Sequence, residues 1–224
     1  MMMEFWMTAA LFCLASQAAA AQEPKPCLSP SQYMGSLTYI MKLGELQLPL
    51  YKCDYNYDAI KERLQMKMFR GDEFLHEDLF LFHERVHYSW RGDRCSKEAI
   101  ESHFEFMRVP ENATFLSQVV LGTSSIAGHG LVVNNWRDST DTLLSFTDAD
   151  CLPISLDMED PDLGVSASAR FFNNLLESHP EVFVVPDICK HKRKTLKSQK
   201  RATADQKETE VAISYFLSFF QKQG

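Results

Sequence analysis

The chain has 224 residues, of which 45% are hydrophobic and 24% are charged, and the net charge is −7. This is a globular composition, long enough for one domain with a genuine core, and it excludes a chain that is disordered throughout. We find no base-stacking pattern and only one local basic stretch, so nothing indicates nucleic-acid binding.

Residues 1–22 differ from the rest of the chain. They hold an apolar centre at 7–15, followed by small residues in an A-x-A arrangement. We predict a signal peptide over residues 1–21, although its start carries Glu4 and no basic residue. The apolar run is shorter than the roughly 20 residues that span a bilayer. The sequence therefore predicts a secreted protein without a transmembrane segment, either extracellular or in a lumen such as that of the lysosome.

Five cysteines follow the signal peptide, and no two of them form a C-x-x-C pair, which argues against a zinc ribbon or a thioredoxin motif. In an oxidising compartment they should form long-range disulfides, with one thiol left over. The sequence alone does not identify the odd one. These cysteines are Cys27, Cys53, Cys95, Cys151 and Cys189. Asn112 begins an Asn-Ala-Thr sequon after Pro110, and we expect it to carry glycan.

Apolar residues alternate with polar ones along the body of the chain. The alternation predicts short strands, and turn signals separate them at 70–73, 90–94, 125–130 and 146–150. We therefore predict a mainly β fold of antiparallel strands. The residues predicted to share a face are Leu37, Tyr39 and Met41; Leu64, Met66 and Met68; and Leu152, Ile154 and Leu156.

The stretch HERVH at 83–87 matches the zinc-binding pattern H-E-x-x-H, in which His83 and His87 bind the metal and Glu84 activates water. That chemistry needs a helix. The flanking residues are instead aromatic and β-branched and alternate as in a strand, so we predict a hairpin. A third ligand can still be drawn from Glu98, Glu101 or Glu105, which keeps a zinc metallohydrolase as the alternative function.

Residues 91–93 read Arg-Gly-Asp. Such a tripeptide is either an integrin-binding loop or a simple turn. A Gly-Asp pair two residues before a cysteine favours the turn.

Six segments of the chain carry a family resemblance: PCLSPSQY at 26–33, YDAIKERLQM at 57–66, DRCSKEAI at 93–100, VPENATF at 109–115, DCLPIS at 150–155 and SARFFNNLLESHPEVFVVPDIC at 168–189. In this order and spacing they resemble the ependymin family of secreted glycoproteins. The resemblance covers most of the chain after the signal peptide. We therefore expect one ependymin-like β domain over residues 22–189.

The resemblance implies a fold similar to that of LolA-type lipoprotein carriers. In that fold two antiparallel sheets curve around an apolar pocket, and the role is not enzymatic. It also implies two disulfides, Cys27 with Cys151 and Cys95 with Cys189. Cys53 departs from the family pattern, which leaves it free, buried or in an interchain link.

The C-terminal part has a different composition. Residues 190–201 hold seven Lys or Arg and no acidic residue. We expect a basic linker over 190–202 and an amphipathic helix over 203–222. Docking of this helix, binding to sulfated glycans or anionic membranes, and cleavage by a basic-site protease stay open. The apolar stripe of the predicted helix is Ala212, Tyr215, Phe216, Phe219 and Phe220.

Calcium is the one candidate cofactor, since the resemblance implies calcium-linked adhesion to the extracellular matrix or the cell surface. Carboxylate oxygens suit calcium, but the EF-hand spacing is missing, and a plain acidic surface loop is the alternative that the sequence favours. The candidate ligands are Asp157, Glu159, Asp160 and Asp162.

Several predicted strands are apolar on both faces, whereas a simple two-layer sandwich needs only one apolar face. This excess, together with the resemblance, predicts a pocket for a lipid-like ligand. The alternative is that the C-terminal helix or a second copy in a homodimer covers the extra face. The predicted pocket lining is Tyr39, Met41, Leu64, Met66, Phe80, Phe82, Val133, Phe146 and Ile154.

Overall fold

The structure is a computed structural model that describes residues 23–162 and 164–190. In these residues, antiparallel strands join into one sheet of twelve strands, in the order β7-β6-β5-β4-β3-β1-β12-β11-β10-β9-β8, with the short β2 paired to β1. The predicted mainly β class is confirmed. The strands form one continuous open sheet, whereas the resemblance implies two sheets.

The strands are β1 (Gln32–Leu43), β2 (Leu46–Gln47), β3 (Tyr51–Asp58), β4 (Arg63–Arg70), β5 (Glu73–Leu81), β6 (Val86–Arg91), β7 (Arg94–Ala99), β8 (Thr114–Gly122), β9 (Gly130–Arg137), β10 (Leu143–Thr147), β11 (Pro153–Asp160) and β12 (Val165–Leu175). After β12 come a 3₁₀ helix (Pro180–Phe183) and a short helix α1 (Asp187–Lys190). No helix of the described residues is long and apolar enough to cross a membrane.

The alternation of apolar residues determines which face of the sheet is buried. On β4, Leu64, Met66 and Met68 are buried and lie opposite apolar residues of β3, such as Tyr55 and Cys53. One large cluster of buried side chains from β1, β3–β5 and β9–β12 occupies this face, which we call the core face. The burial expected for alternate residues of β1 and β4 is therefore confirmed.

Three irregular segments are tied together at one end of the core face. Cys27 forms a disulfide with Cys151. The Ser29 hydroxyl donates a hydrogen bond to the Cys151 carbonyl over 2.6 Å, and the Ser29 amide donates to the carbonyl of Met107. These bonds hold Met107, near the end of residues 100–109, which we call the crossing segment, against the end of the sheet.

The opposite, outer face is covered where the chain returns after β12. We call residues 176–190 the C-terminal cover. Phe183 packs there into a second buried cluster with outer-face residues of β5 and β6, such as Leu79 and Tyr88. The Arg63 guanidinium lies 4.0 Å from the centre of the Phe183 ring, and a disulfide joins Cys95 on β7 to Cys189. The cover therefore explains why β5 is apolar on both faces.

The β8–β9 hairpin contrasts with this arrangement because apolar side chains on both of its faces are exposed. They are Val119, Val120, Leu121, Leu131 and Val132.

The predicted signal peptide, the basic linker beyond Lys190 and the C-terminal helix with its apolar stripe all lie outside the described residues.

Candidate functional site

The structure brings together most of the residues predicted to line a pocket. Phe82 is half-buried and packs against the core cluster. Val133 and Ile154 do not belong to that cluster. The predicted lining residues that are buried within the cluster are Tyr39, Met41, Leu64, Met66, Phe80 and Phe146.

Strand register explains the two exceptions. On β9 and β10, Phe146 pairs with Asn134, and Thr147 pairs with Val133. Successive residues point to opposite faces of a sheet, so Val133 lies on the outer face. The register therefore places Val133, predicted as a lining residue, on the face opposite to Phe146. Ile154 lies at an irregularity in the pairing of β10 with β11, which interrupts the alternation predicted for that stretch.

A small cavity of about 10 Å³ lies in the core. That volume holds about one water molecule. Only Leu64 belongs both to its walls and to the predicted lining. The walls come from β1, β3, β4, β12 and the crossing segment: Tyr33, Leu37, Tyr55, Tyr57, Leu64, Met107 and Phe171.

The polar atoms of the cavity wall already have partners. The Tyr55 hydroxyl donates to the side-chain oxygen of Asn174 over 2.6 Å, and the Tyr57 hydroxyl accepts a hydrogen bond from the Met107 amide over 3.0 Å. Burial raises the pKa of Tyr57 to about 12 and raises the pKa of Tyr33 well above its usual value. Because these hydroxyls are neutral and the Tyr55 and Tyr57 hydroxyls are already bonded, the walls suit an apolar occupant better than a charged one.

The crossing segment closes one side of this cavity. Its Phe104 ring packs 5.5 Å from the Tyr57 ring and 5.3 Å from the Phe82 ring, measured between centres. Phe106 is 42% exposed. Apart from one bridge between Leu28 and Arg108, the segment has no regular pairing with the sheet. It is the least regular part of the cavity wall.

The HERVH stretch does not form the helix that a zinc site requires. His83 and Glu84 lie exposed in the turn between β5 and β6, and His87 lies on β6. Among the described residues, no group of three or more His, Cys, Asp or Glu side chains is arranged to hold a metal. That includes the proposed third ligands Glu98, Glu101 and Glu105.

A buried carboxylate accounts for the position of His87. Asp78 is 1% exposed on the core face, and its two oxygens each lie 2.9 Å from an imidazole Nε2, one of His76 and one of His87. The His87 ring also stacks on Phe80, with centres 4.2 Å apart. Burial by itself raises the pKa of Asp78, but the hydrogen bonds and charges of the two histidines outweigh it and lower that pKa.

Sequence reasoning missed this buried group. The signal was present, because residues 76, 78 and 80 alternate with Glu77, Leu79 and Leu81 of the opposite face. A period-two reading of β5 places all three on one face.

The four acidic residues proposed for calcium are not gathered into one site. Asp157 accepts hydrogen bonds from the Ser168 hydroxyl and, over 2.8 Å, from the Arg170 guanidinium. Asp157 and Glu159 share one face of β11, whereas Asp160 points to the other face and Asp162 lies in the following turn. The ion pair of Asp157 with Arg170 further weakens a calcium assignment.

Comparison with known proteins adds to this geometry. A family model described as Ependymin matches residues 71–189. The chain belongs to the ependymin family. It is 27% identical to Ependymin of Esox lucius over 203 residues, which cover 84% of this chain and 88% of that protein. It is 25% identical to Mammalian ependymin-related protein 1 of Mus musculus over 193 residues, 80% of this chain and 83% of that one.

Two solved structures are distantly similar. An uncharacterized conserved protein from Thermus thermophilus superposes with a TM-score of 0.46 and 8% identity, covering 70% of this chain and 87% of that one. A LolA superfamily protein from Nitrosomonas europaea superposes with a TM-score of 0.35 and 9% identity, covering 70% and 91%. Structural similarity this low indicates nothing about the ligand of this ependymin-family chain.

The cysteines pair in the structure as the ependymin resemblance implies. Cys27 pairs with Cys151 and Cys95 with Cys189. Cys53 is a free cysteine, fully buried on β3, and burial raises the pKa of its thiol. The sequon residue Asn112 lies exposed in a turn before β8.

Proposed function

We propose that this ependymin-family protein is a secreted, non-enzymatic binding protein for an apolar, lipid-like ligand. The observation that supports it most directly is the tyrosine-lined cavity. The Tyr55 and Tyr57 hydroxyls already have partners, so ring faces and aliphatic side chains are what the cavity offers. Burial of hydrocarbon against such a wall is energetically favourable. An ionic ligand would find few polar partners there and would lose its hydration.

The closed cavity is far smaller than the ligand it is proposed to admit. Pockets for small molecules measure roughly 300–1,000 Å³, against about 10 Å³ here. Binding therefore requires part of the wall to move. The crossing segment is the part that we propose moves, because it lacks regular pairing and because Phe106 is already exposed.

Secretion is supported by the two disulfides, whose cysteines are 124 and 94 residues apart in the sequence. Bonds of this kind persist in oxidising compartments. An exposed Asn112 suits a glycan. Calcium-linked adhesion has weaker support, because the candidate acidic residues face different directions, and we do not include calcium in the proposal.

Ligand binding can be tested on the full chain secreted from eukaryotic cells. Native mass spectrometry before and after organic extraction should reveal a bound lipid that extraction removes. The extracted protein should then bind dansyl-labelled undecanoic acid. Leu64→Phe adds volume inside the cavity and should weaken binding of this probe about tenfold.

Two further variants complete the test. Leu131→Phe makes the same change on the exposed β9 surface and should leave probe affinity unaltered. Phe104→Ala loosens the crossing segment and should speed association of the probe. Recovery of no lipid, together with no binding of the probe by the extracted protein, would disprove the proposed function.

A further inference from the structure

The turn between β4 and β5 and the turn between β6 and β7 carry the same tripeptide. Residues 70–72 and residues 91–93 both read Arg-Gly-Asp. In each case the arginine ends a strand and Gly-Asp forms a two-residue hairpin turn, since Arg70 pairs with Glu73 and Arg91 pairs with Arg94.

The two turns also share one backbone conformation. Gly71 and Gly92 both have φ of 60°, whereas neither following aspartate has a positive φ. A positive φ at the first central position only is typical of a type II′ hairpin turn, for which glycine is preferred there. Both aspartates and both glycines are exposed, and no atom lies within 4 Å of a Cβ built on either glycine.

Turn chemistry explains the glycine and the aspartate, but it does not explain the arginine. The residue before the glycine is an ordinary strand position. Glu73 accepts ion pairs from both arginines, 3.1 Å from Arg91 and 3.5 Å from Arg70. These pairs are exposed, and exposed ion pairs add little stability. Stability of the fold is therefore a weak reason for an arginine at both positions.

The ion pairs place the two turns side by side at one end of the sheet. Neighbouring strands lie about 4.8 Å apart, so the two hairpins are about 10 Å apart across the sheet. The first turn also extends further along the strands, because Trp90 of β6 pairs with Glu77 of β5. The second turn is more firmly held, because Cys95, one residue after Arg94, forms the disulfide to Cys189. Its arginine is also more available, with 59% of the Arg91 side chain exposed compared with 33% for Arg70.

We propose that these two turns form a binding surface for an Arg-Gly-Asp-dependent adhesion receptor of the integrin class. Such a receptor holds the guanidinium by carboxylates, which match its planar fork, and holds the aspartate carboxylate by a divalent cation. A rigid exposed turn presents both groups without an ordering cost on binding. The surface is separate from the cavity in function and shares only the extracellular location with the proposed lipid binding.

The spacing of the turns determines the expected stoichiometry. A receptor head is much wider than the separation of about 10 Å between the hairpins, so both turns cannot be occupied at once. Each turn then acts as an alternative to the other. Loss of one turn should weaken binding only about twofold to threefold, with the larger effect at the more exposed second turn.

The test measures binding of purified vitronectin-receptor integrin to the immobilised full-length protein in magnesium buffer. Asp72→Glu and Asp93→Glu keep the charge and the turn glycines but lengthen the group that must reach the cation. We expect each alone to weaken binding about twofold to threefold and the double variant to weaken it about twentyfold or more. Asp162→Glu, in the exposed turn after β11, is the matched control and should have no effect.

A variant that should strengthen receptor binding provides a second test. Glu73→Gln removes the ion pairs that Glu73 makes with the two arginines and should strengthen binding up to about fivefold. EDTA and a linear Arg-Gly-Asp peptide should each abolish binding of the unaltered protein.

The proposal is overturned if the unaltered protein does not bind, if binding persists in EDTA, or if the double variant binds as tightly as the unaltered protein. Extracted, lipid-free protein should give the same affinities, which separates this result from the proposed lipid binding.

Discussion

β5 and the β8–β9 hairpin are both rich in apolar residues, but these residues are buried on β5 and exposed on the hairpin. On β5, Leu79 and Phe80 point to opposite faces and both are buried. On β8, Val120 and Leu121 also point to opposite faces and both are exposed. Local sequence therefore does not determine how many faces of a strand are covered.

The difference comes from distant parts of the chain. The outer face of β5 is covered by Phe183 of the C-terminal cover, about a hundred residues later, and a disulfide to β7 holds that cover in place. On the β8–β9 hairpin, side chains of both faces stay exposed among the described residues. An apolar strand becomes buried on both faces only when another segment reaches it, and the chain connectivity decides which strands are reached.

Loss of the disulfide that holds the cover should have the largest effect on this contrast. In the double variant Cys95→Ser and Cys189→Ser, the unfolded chain gains the entropy of a loop that spans 94 residues. We expect the free energy of unfolding to fall by about 4–5 kcal/mol in chemical denaturation monitored by tryptophan fluorescence. A decrease below about 1 kcal/mol would mean that the cover stays docked without its disulfide.

Removal of the Phe183 ring should uncover the outer face of β5 directly. Phe183→Ala deletes a buried ring that packs on Leu79 and Tyr88 and against the Arg63 guanidinium. We expect a loss of about 3–4 kcal/mol and increased binding of a hydrophobic dye. Val184→Ala, at an exposed neighbouring position, is the control and should cost less than about 0.5 kcal/mol. Equal effects of the two variants would contradict the assignment of Phe183 as the anchor of the cover.

Substitution of Asp78 tests the core face of β5. Asp78→Asn keeps the size of the side chain but removes the charge that His76 and His87 share, and we expect a loss of about 2–3 kcal/mol at pH 7. The pKa of Asp78 is lowered in the folded state, so its stabilisation is complete above the unfolded value near 3.9. That stabilisation is lost as the pH falls through the folded-state pKa.

The difference in unfolding free energy between Asp78→Asn and the unaltered protein should therefore shrink below about pH 4. Denaturation at several pH values measures it. A difference that grows as the pH falls would show that the carboxylate is not the stabilised form.

The smallest effects are expected on the β8–β9 hairpin. Val120→Ala and Leu121→Ala remove side chains that are already exposed, so each should change the free energy of unfolding by less than about 0.5 kcal/mol. A loss above about 1.5 kcal/mol in thermal denaturation would reveal that this hairpin is covered in solution. The contrast with β5 would then disappear.

Much of the fold could be predicted from local sequence. Alternation on β4 correctly predicted which side chains face the core, and the turn signals at 70–73 and 90–94 fall on hairpin turns. Period two is a strong signal because it follows from the geometry of a single strand. The prediction for residues 152–156 was less successful, because an irregularity beside Ile154 interrupts the alternation.

The candidate site was predicted less well than the strands. Phe146 and Val133 belong to neighbouring strands, and only the register between β9 and β10 shows that they lie on opposite faces. The cavity wall includes Met107 from the crossing segment, which has no periodic pattern to read. Register and irregular segments both depend on contacts between residues far apart in the chain.

By itself, the sequence determined the β class, the positions of several turns and, through family resemblance, the cysteine pairs. These follow from backbone geometry and from motifs that are local or ordered along the chain. The tertiary structure alone decided that β5 is covered on both faces, that Asp78 lies between two histidines, and that two Arg-Gly-Asp turns lie side by side. Each of these depends on which strands become neighbours, and pairing between distant segments is set by the packing of the whole sheet.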